Sequence, residues 1–178
     1  MNTLPTSQQE LEQTNRRVEA LRQEGVCPTC YDLQTNGQLF GNAYILYEDE
    51  LFKVALERYA RAKGHSIVVY KPHRTDLSEL SDAEAGGVFA VCVRVVQALK
   101  EALGAEKVYL NTMCDGGINH LHLQLFPRYA GERIGSTRFV AERRPIVDGE
   151  DTVQRIRAVL KLPIKSSQLP GPPSPVAP

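Results

Sequence analysis

Polar and apolar residues alternate without a break from His120 to Leu125. Side chains of a strand point to opposite faces with period 2. His120, His122 and Gln124 therefore share one face, and Leu121, Leu123 and Leu125 share the other. The leucine face suits a core. The other face sets two imidazoles and an amide in a row, about 6–7 Å between alternate residues. Pro127 ends or edges this strand, because it cannot donate to a ladder. Upstream, Tyr44–Tyr47 and Phe52–Leu56 flank Glu48-Asp49-Glu50 and read as a hairpin. Tyr59–Lys63 is a short polar link. His65–Tyr70 is rich in β-branched residues and reads as a buried strand. Val108-Tyr109-Leu110 is a further strand.

Helical spacing dominates elsewhere. Ser81-Asp82-Ala83-Glu84 is a capping box. Val88, Val91, Val95, Leu99 and Leu103 then recur along one helix face, and Gly104 stops it. Cys92 belongs to this helix as a small buried hydrophobe. Residues 1–24 are polar, with a capping signal at Thr6–Glu10 and with Leu11, Val18 and Leu21 on one face. Two readings stand: an appended helix that packs on the domain or on a second subunit, and a frayed terminal arm. After Arg128, Arg138–Ala141 is expected as a last strand and Thr152–Leu160 as a short C-terminal helix. From Pro163 on, Pro, Ser and Gly dominate, and such a tail cannot bury enough surface to order itself. The expected organisation is a helical arm over 1–24, one domain over 25–162 and a disordered Pro-rich tail over 163–178. Strands set around one dominant helix predict an α+β sheet with helices on one face.

At 178 residues the chain is long enough for a real core. Lys+Arg and Asp+Glu are both 21, so the formal charge is zero. That argues against a general nucleic-acid binder, which would carry a basic surplus. A local basic pocket for a small anion remains compatible with it. No apolar run approaches membrane-spanning length, and no basic-then-apolar leader opens the chain, so the expected compartment is the cytoplasm. Four cysteines there are not read as a disulfide framework.

The chemistry gathers around the alternating stretch, which holds two of the four histidines. Directly upstream, Asn111–Asn119 is a loop with paired glycines, Gly116 and Gly117. Such a loop lets backbone approach a ligand, and its N–H groups can cradle phosphate oxygens. Cys27-Pro28-Thr29-Cys30 has three readings: a redox pair, two unremarkable thiols, or half of a zinc site. The redox reading lacks its βαβ setting, because Asn36-Gly37 follows closely as a turn. A zinc site needs further ligands from elsewhere in the chain, with His73 and His120 as candidates. His65 reads as a satisfied structural histidine. Lys71 and Arg74 either add positive charge near the site or are solvated surface groups. Cys114 is read as a spectator.

The run GGINHLHLQLFPR resembles the motif of the histidine triad (HIT) superfamily, His-φ-His-φ-His/Gln-φ-φ. The resemblance extends to GHSIVVYKPHRTDLSELSDAE (Gly64–Glu84), with a strand, a Pro-x-His turn and a helix, and to Cys27–Cys30. The Gln at the third position is similar to galactose-1-phosphate uridylyltransferase and the dinucleoside tetraphosphate phosphorylases. The resemblance implies a HIT-like antiparallel sheet with one long helix and a shorter C-terminal helix. It implies zinc, held structurally by Cys27, Cys30, His73 and His120. It implies His122 as nucleophile and Gln124 as a donor to a phosphoryl oxygen. Asn111 matches a family position that touches phosphate or ribose, with a turn-forming Asn as the alternative. Gly116, Gly117 and Asn119 complete the expected nucleotide contacts. The loop departs from many HIT hydrolases: it is shorter, and the usual Ser near Gly117 is absent.

The expected reaction is attack of His122 on the α-phosphorus of a nucleotide, giving a nucleotidyl-histidine. Water, phosphate or a sugar phosphate then takes the group. Gln124 donates through its amide but is neither acid nor base. That favours transfer or phosphorolysis over a HIT-type hydrolase, which is the alternative. A zinc-ordered nucleotide-binding module without turnover and a CPTC thiol oxidoreductase are the competing classes. The expected partners are a nucleotide and, as HIT proteins are often dimers, a second copy; neither nucleic acid nor membrane is expected.

Overall fold

The alternating stretch enters, from His122 on, a five-stranded antiparallel sheet of strand order β1-β2-β4-β6-β5, while His120 and Leu121 precede the strand. The strands are β1 (Ile45–Glu48), β2 (Phe52–Leu56), β4 (Ser66–Tyr70), β5 (Lys107–Asn111) and β6 (His122–Arg128). The computed structural model describes residues 7–114 and 116–162. Four helices accompany the sheet: α1 (Ser7–Gln23), α2 (Pro28–Gln34), α3 (Asp82–Leu103) and α4 (Gly149–Val159). Two short strands, β3 (Tyr59–Ala60) and β7 (Arg144–Pro145), pair apart from the main sheet.

One face of the sheet makes the core. Val54, Val68, Leu123 and Leu125 are fully buried against Val88, Val95 and Leu99 of α3 and Ile156 of α4. Each such side chain contributes roughly 1.5–3 kcal/mol by leaving water. Ser81 caps α3, and its hydroxyl accepts from the Glu84 N–H while the Glu84 carboxylate accepts from the Ser81 N–H. Gly104 closes the helix at φ +73°. Gly64 also has φ +73°, and a Cβ there would lie 2.6 Å from Leu103. The positive φ favours glycine here, and a side chain would also press on the end of α3.

Several expectations are corrected. Helices are not confined to one face: α3 and α4 cover the core face, while α1 and α2 border a cleft over the other. Pro28–Gln34 form α2, a helix not among the expected elements, with Cys27 as its N-cap and Pro28 at its first turn. Arg138–Ala141 is not a strand. Ser136–Val140 is a 3₁₀ turn in which Phe139 packs edge-on to Tyr109 and Phe126, while Val140 faces water. The last strand is β7 instead, pairing with Tyr59–Ala60 of the stretch read as a polar link. Pro127 does not end β6, but it does occupy an edge position. The strand runs on to Arg128, and its ladder with β4 stops at Ser66↔Leu125, so the proline sits where only β5 is paired. The Pro-rich tail lies outside the described residues, as does the start of the capping signal at Thr6.

Candidate active site and metal centre

Register builds the site. Val69 of β4 pairs with Lys53 of β2 on one side and with His122 of β6 on the other. Ile67 pairs with Ala55 and Gln124 in the next row, and Asn111 pairs with Gln124 from β5. Paired residues of an antiparallel sheet share a face. This face floors a cleft of about 460 Å³ that His120, His122, Gln124 and Asn119 line. The volume falls within the range of small-ligand sites.

The His122 ring is oriented by backbone. Its Nδ1–H donates to the His120 carbonyl at 2.9 Å. A carbonyl only accepts, so Nδ1 holds the proton and Nε2 keeps its lone pair. Burial alone would lower the pKa of this ring, but the Cys114 thiol and the His120 carbonyl hold it above its ordinary value. Cys114 is more than a spectator in this respect. Burial raises its thiol, but contacts with His122 and Thr112 bring it below the usual range.

Gln124 is buried, and its Oε1 lies 3.1 Å from His65 Nε2. The backbone N–H of Arg61 donates to His65 Nδ1 at 3.3 Å. With Nδ1 accepting, the ring proton sits on Nε2 and is donated to Gln124 Oε1. That fixes the amide and leaves its NH₂ for the cleft. Burial pushes the His65 pKa down to about 3, so the ring stays neutral. His65 is thus satisfied, as the sequence reading has it, and its partner is the candidate phosphoryl donor.

Beside this, Cys27, Cys30, His73 and His120 bring their ligand atoms within 4.8 Å of one another. His120 Nδ1 lies 3.7 Å from Cys27 Sγ and 3.4 Å from Cys30 Sγ, and His73 Nδ1 lies 3.2 Å from Cys30 Sγ. Ligands about 2.0–2.3 Å from a tetrahedral zinc would stand at similar mutual distances. The His120 Nε2–H donates to the Tyr70 carbonyl at 2.7 Å, which leaves Nδ1 as the ligand nitrogen. Burial, and then Cys27, push the Cys30 thiol up to about 12. A cation among the four groups would reverse that. The set is compatible with zinc.

The remaining expected residues scatter. Asn111 shares the row with Gln124, and its Oδ1 is buried with no partner among the described residues. Asn119 lines the cleft and donates to the Gly116 carbonyl at 3.1 Å. Gly116 takes φ +84°, and neither it nor Gly117 is among the lining residues. Lys71 and Arg74 do not supply the charge: Lys71 pairs with Glu48 at 2.8 Å and Arg74 with Glu84 at 2.6 Å. Arg58 and Arg143 line the cleft instead, together with Lys53 and with Leu11, Val18 and Arg22 of α1. Lys53 had a signal in the sequence. It alternates with Phe52, Val54 and Leu56, so it must face away from the core. Arg143, on an irregular segment, had none.

The HIT domain family matches residues 41–131. An uncharacterised HIT-like protein of Methanocaldococcus jannaschii is 32% identical over 103 residues, covering 54% of this chain and 76% of its own length. A zinc-bound histidine triad family protein from Mycobacterium smegmatis superposes with a TM-score of 0.61 at 27% identity, over 75% of this chain and 92% of that one. A uridylyltransferase shares the fold with a TM-score of 0.58 at 21% identity, over 85% of this chain and 49% of its own.

Proposed function

The chain belongs to the HIT family, and from that premise we propose that it is a nucleotidyl transferase or phosphorylase acting through a nucleotidyl-histidine. The observation that carries this is the paired orientation of His122 and Gln124. His122 offers Nε2 because its Nδ1–H is committed to the His120 carbonyl. Gln124 offers its NH₂ because its Oε1 is committed to His65.

His122 Nε2 attacks the α-phosphorus, and an N–P bond forms as the bond to the leaving oxygen breaks. The Gln124 NH₂ donates to a non-bridging oxygen, where charge shifts in the transition state. Asn111 and Asn119 add contacts to phosphate or ribose. In the second step an acceptor oxygen attacks the same phosphorus and releases His122. Gln124 cannot protonate a leaving group, which favours departure of a phosphate or sugar phosphate that is already stable as an anion. Zinc at Cys27, Cys30, His73 and His120 would hold α2 and the start of β6 together, as a closed four-ligand structural site.

The test is product analysis on dinucleoside polyphosphates and nucleotide sugars, with and without added phosphate. We expect turnover that requires phosphate or a sugar phosphate, and a loss of at least about a thousandfold in His122→Ala. Turnover in water alone would keep His122 and make the protein a hydrolase. Absence of both turnover and a nucleotidyl adduct by intact mass would favour a binding module.

A further inference from the structure

At the end of the cleft away from His122, three polar side chains meet. Lys53 Nζ lies 3.1 Å from Asp32 Oδ2 and 2.9 Å from Asn42 Oδ1. Asp32 is 2% exposed and Lys53 is 8% exposed. The other capacity of the cluster is used. Asp32 Oδ1 accepts from the N–H groups of Leu39 and Phe40 at 3.0 and 2.7 Å, and Asn42 Nδ2 donates to Asn36. An ammonium has three donors. Two are committed among the described residues, which leaves one, and Lys53 is among the residues that line the cleft.

The position is informative. Lys53 and His122 stand in one row across the sheet with Val69 between them. Two strand spacings separate their backbones, about 10 Å. The span from the α-phosphorus of a nucleotide to the far edge of its base is of the same order. The floor here is apolar, made by Val69 between them and by Ala55 and Ile67 in the next row, and Leu39 and Phe40 also line the cleft. A base lying on that floor with its phosphate at His122 turns its distal edge to Lys53.

Resting on the nucleotide reading above, we propose that Lys53 selects the base, donating its third N–H to a carbonyl oxygen on the distal edge. Guanine presents O6 there and uracil presents O4, both acceptors, whereas N7 is common to both purines and discriminates neither. Adenine and cytosine present an amine at the same place, and a donor facing an ammonium is rejected. The site therefore takes oxo bases over amino bases. Asp32 and Asn42 hold the ammonium in place, and the same Asp32 carboxylate pins the segment at Leu39 and Phe40 that lines the cleft.

The test is calorimetric titration of the full chain with GMP, AMP, UMP and CMP at one pH and salt. GMP against AMP and UMP against CMP are size-matched oxo/amino pairs. We expect each oxo member to bind at least tenfold tighter. The double variant Lys53→Met with Asp32→Asn, which leaves no lone buried carboxylate, is expected to bring both ratios within about twofold. Ratios near one or inverted in the unsubstituted chain overturn the role of Lys53 and leave the nucleotide reading intact. Binding of none of the four overturns that reading, and this one with it. Ratios that survive in a folded double variant assign the selection elsewhere. Should the variant fail to fold, the ratios of the unsubstituted chain still decide.

Discussion

At His65 the ring is fully buried, stacked on Phe126 with centroids 4.2 Å apart. Its pKa is about 3 in the folded chain, lowered mainly by burial from the 6.5 of a free ring. Below pH 6.5 the unfolded chain takes up a proton there and the folded chain does not. The contribution of this residue is therefore complete above pH 6.5 and is lost as pH falls toward 3. The slope in that window is about 1.4 kcal/mol per pH unit. A His65→Gln variant keeps a donor for Gln124 and removes the titration. We expect its urea midpoint to fall less steeply than that of the parent between pH 7 and 4.5. Parallel slopes would place the ring's neutrality elsewhere. The consequence for function is direct, because an imidazolium at His65 would lose its acceptor for the Arg61 N–H and disturb the amide that His65 orients.

At the scale of elements, α1 is where two expectations meet, an appended helix and a frayed arm. The helix spans Ser7–Gln23, and Leu21 is 2% exposed. Glu10 pairs with Arg58 at 2.6 Å and accepts from the Tyr59 hydroxyl at 3.3 Å. Side chains this exposed contribute at most about 1 kcal/mol as an ion pair. Removing a buried leucine side chain costs about 2–5 kcal/mol. We therefore expect Leu21→Ala to lower unfolding free energy by more than 2 kcal/mol and Glu10→Gln by less than 1, by urea denaturation. A loss below about 0.5 kcal/mol for Leu21→Ala would mean that the arm frays in solution. The spacing of Leu11, Val18 and Leu21 made this helix legible. In contrast, α2 has only seven residues and no apolar stripe, so nothing periodic announced it. Arg138–Ala141 misled because Phe139 and Val140 suit a strand, but the segment closes as a 3₁₀ turn whose Phe139 packs on Tyr109 and Phe126 instead of pairing with the sheet. Period 2 exposed the His122–Gln124 face, because every second side chain of a strand shares a side, while His120 just precedes that strand. Which residues sit opposite that face depends on pairing between distant strands. The Lys53–Asp32 contact and the Arg143 position lay beyond the sequence for that reason.

At the scale of the molecule, the four candidate metal ligands join parts that the chain separates widely. Cys27 and Cys30 belong to the start of α2, His73 to the turn after β4, and His120 to the approach to β6. Backbone bonds already tie two of these parts: the Leu121 N–H donates to the Arg74 carbonyl at 2.6 Å. The core under α3 does not include the cluster, apart from its contact through Tyr70. A metal that binds there in the folded chain alone would stabilise it by mass action. At a thousandfold excess over Kd that amounts to about 4 kcal/mol, and each kcal/mol moves the melting temperature of a chain this size by about 2–4 °C. On the zinc reading, chelation is expected to lower Tm by about 8–16 °C and to release about one zinc per chain, measured by calorimetry and elemental analysis. Cys30→Ser should show the lowered Tm without chelator and little further change with it. A chain that purifies without metal, takes up none and melts at one temperature regardless of chelator would sink the zinc reading. His122 and Gln124 would then have to be held by the sheet alone, since the His120 carbonyl that orients His122 belongs to a residue of the cluster.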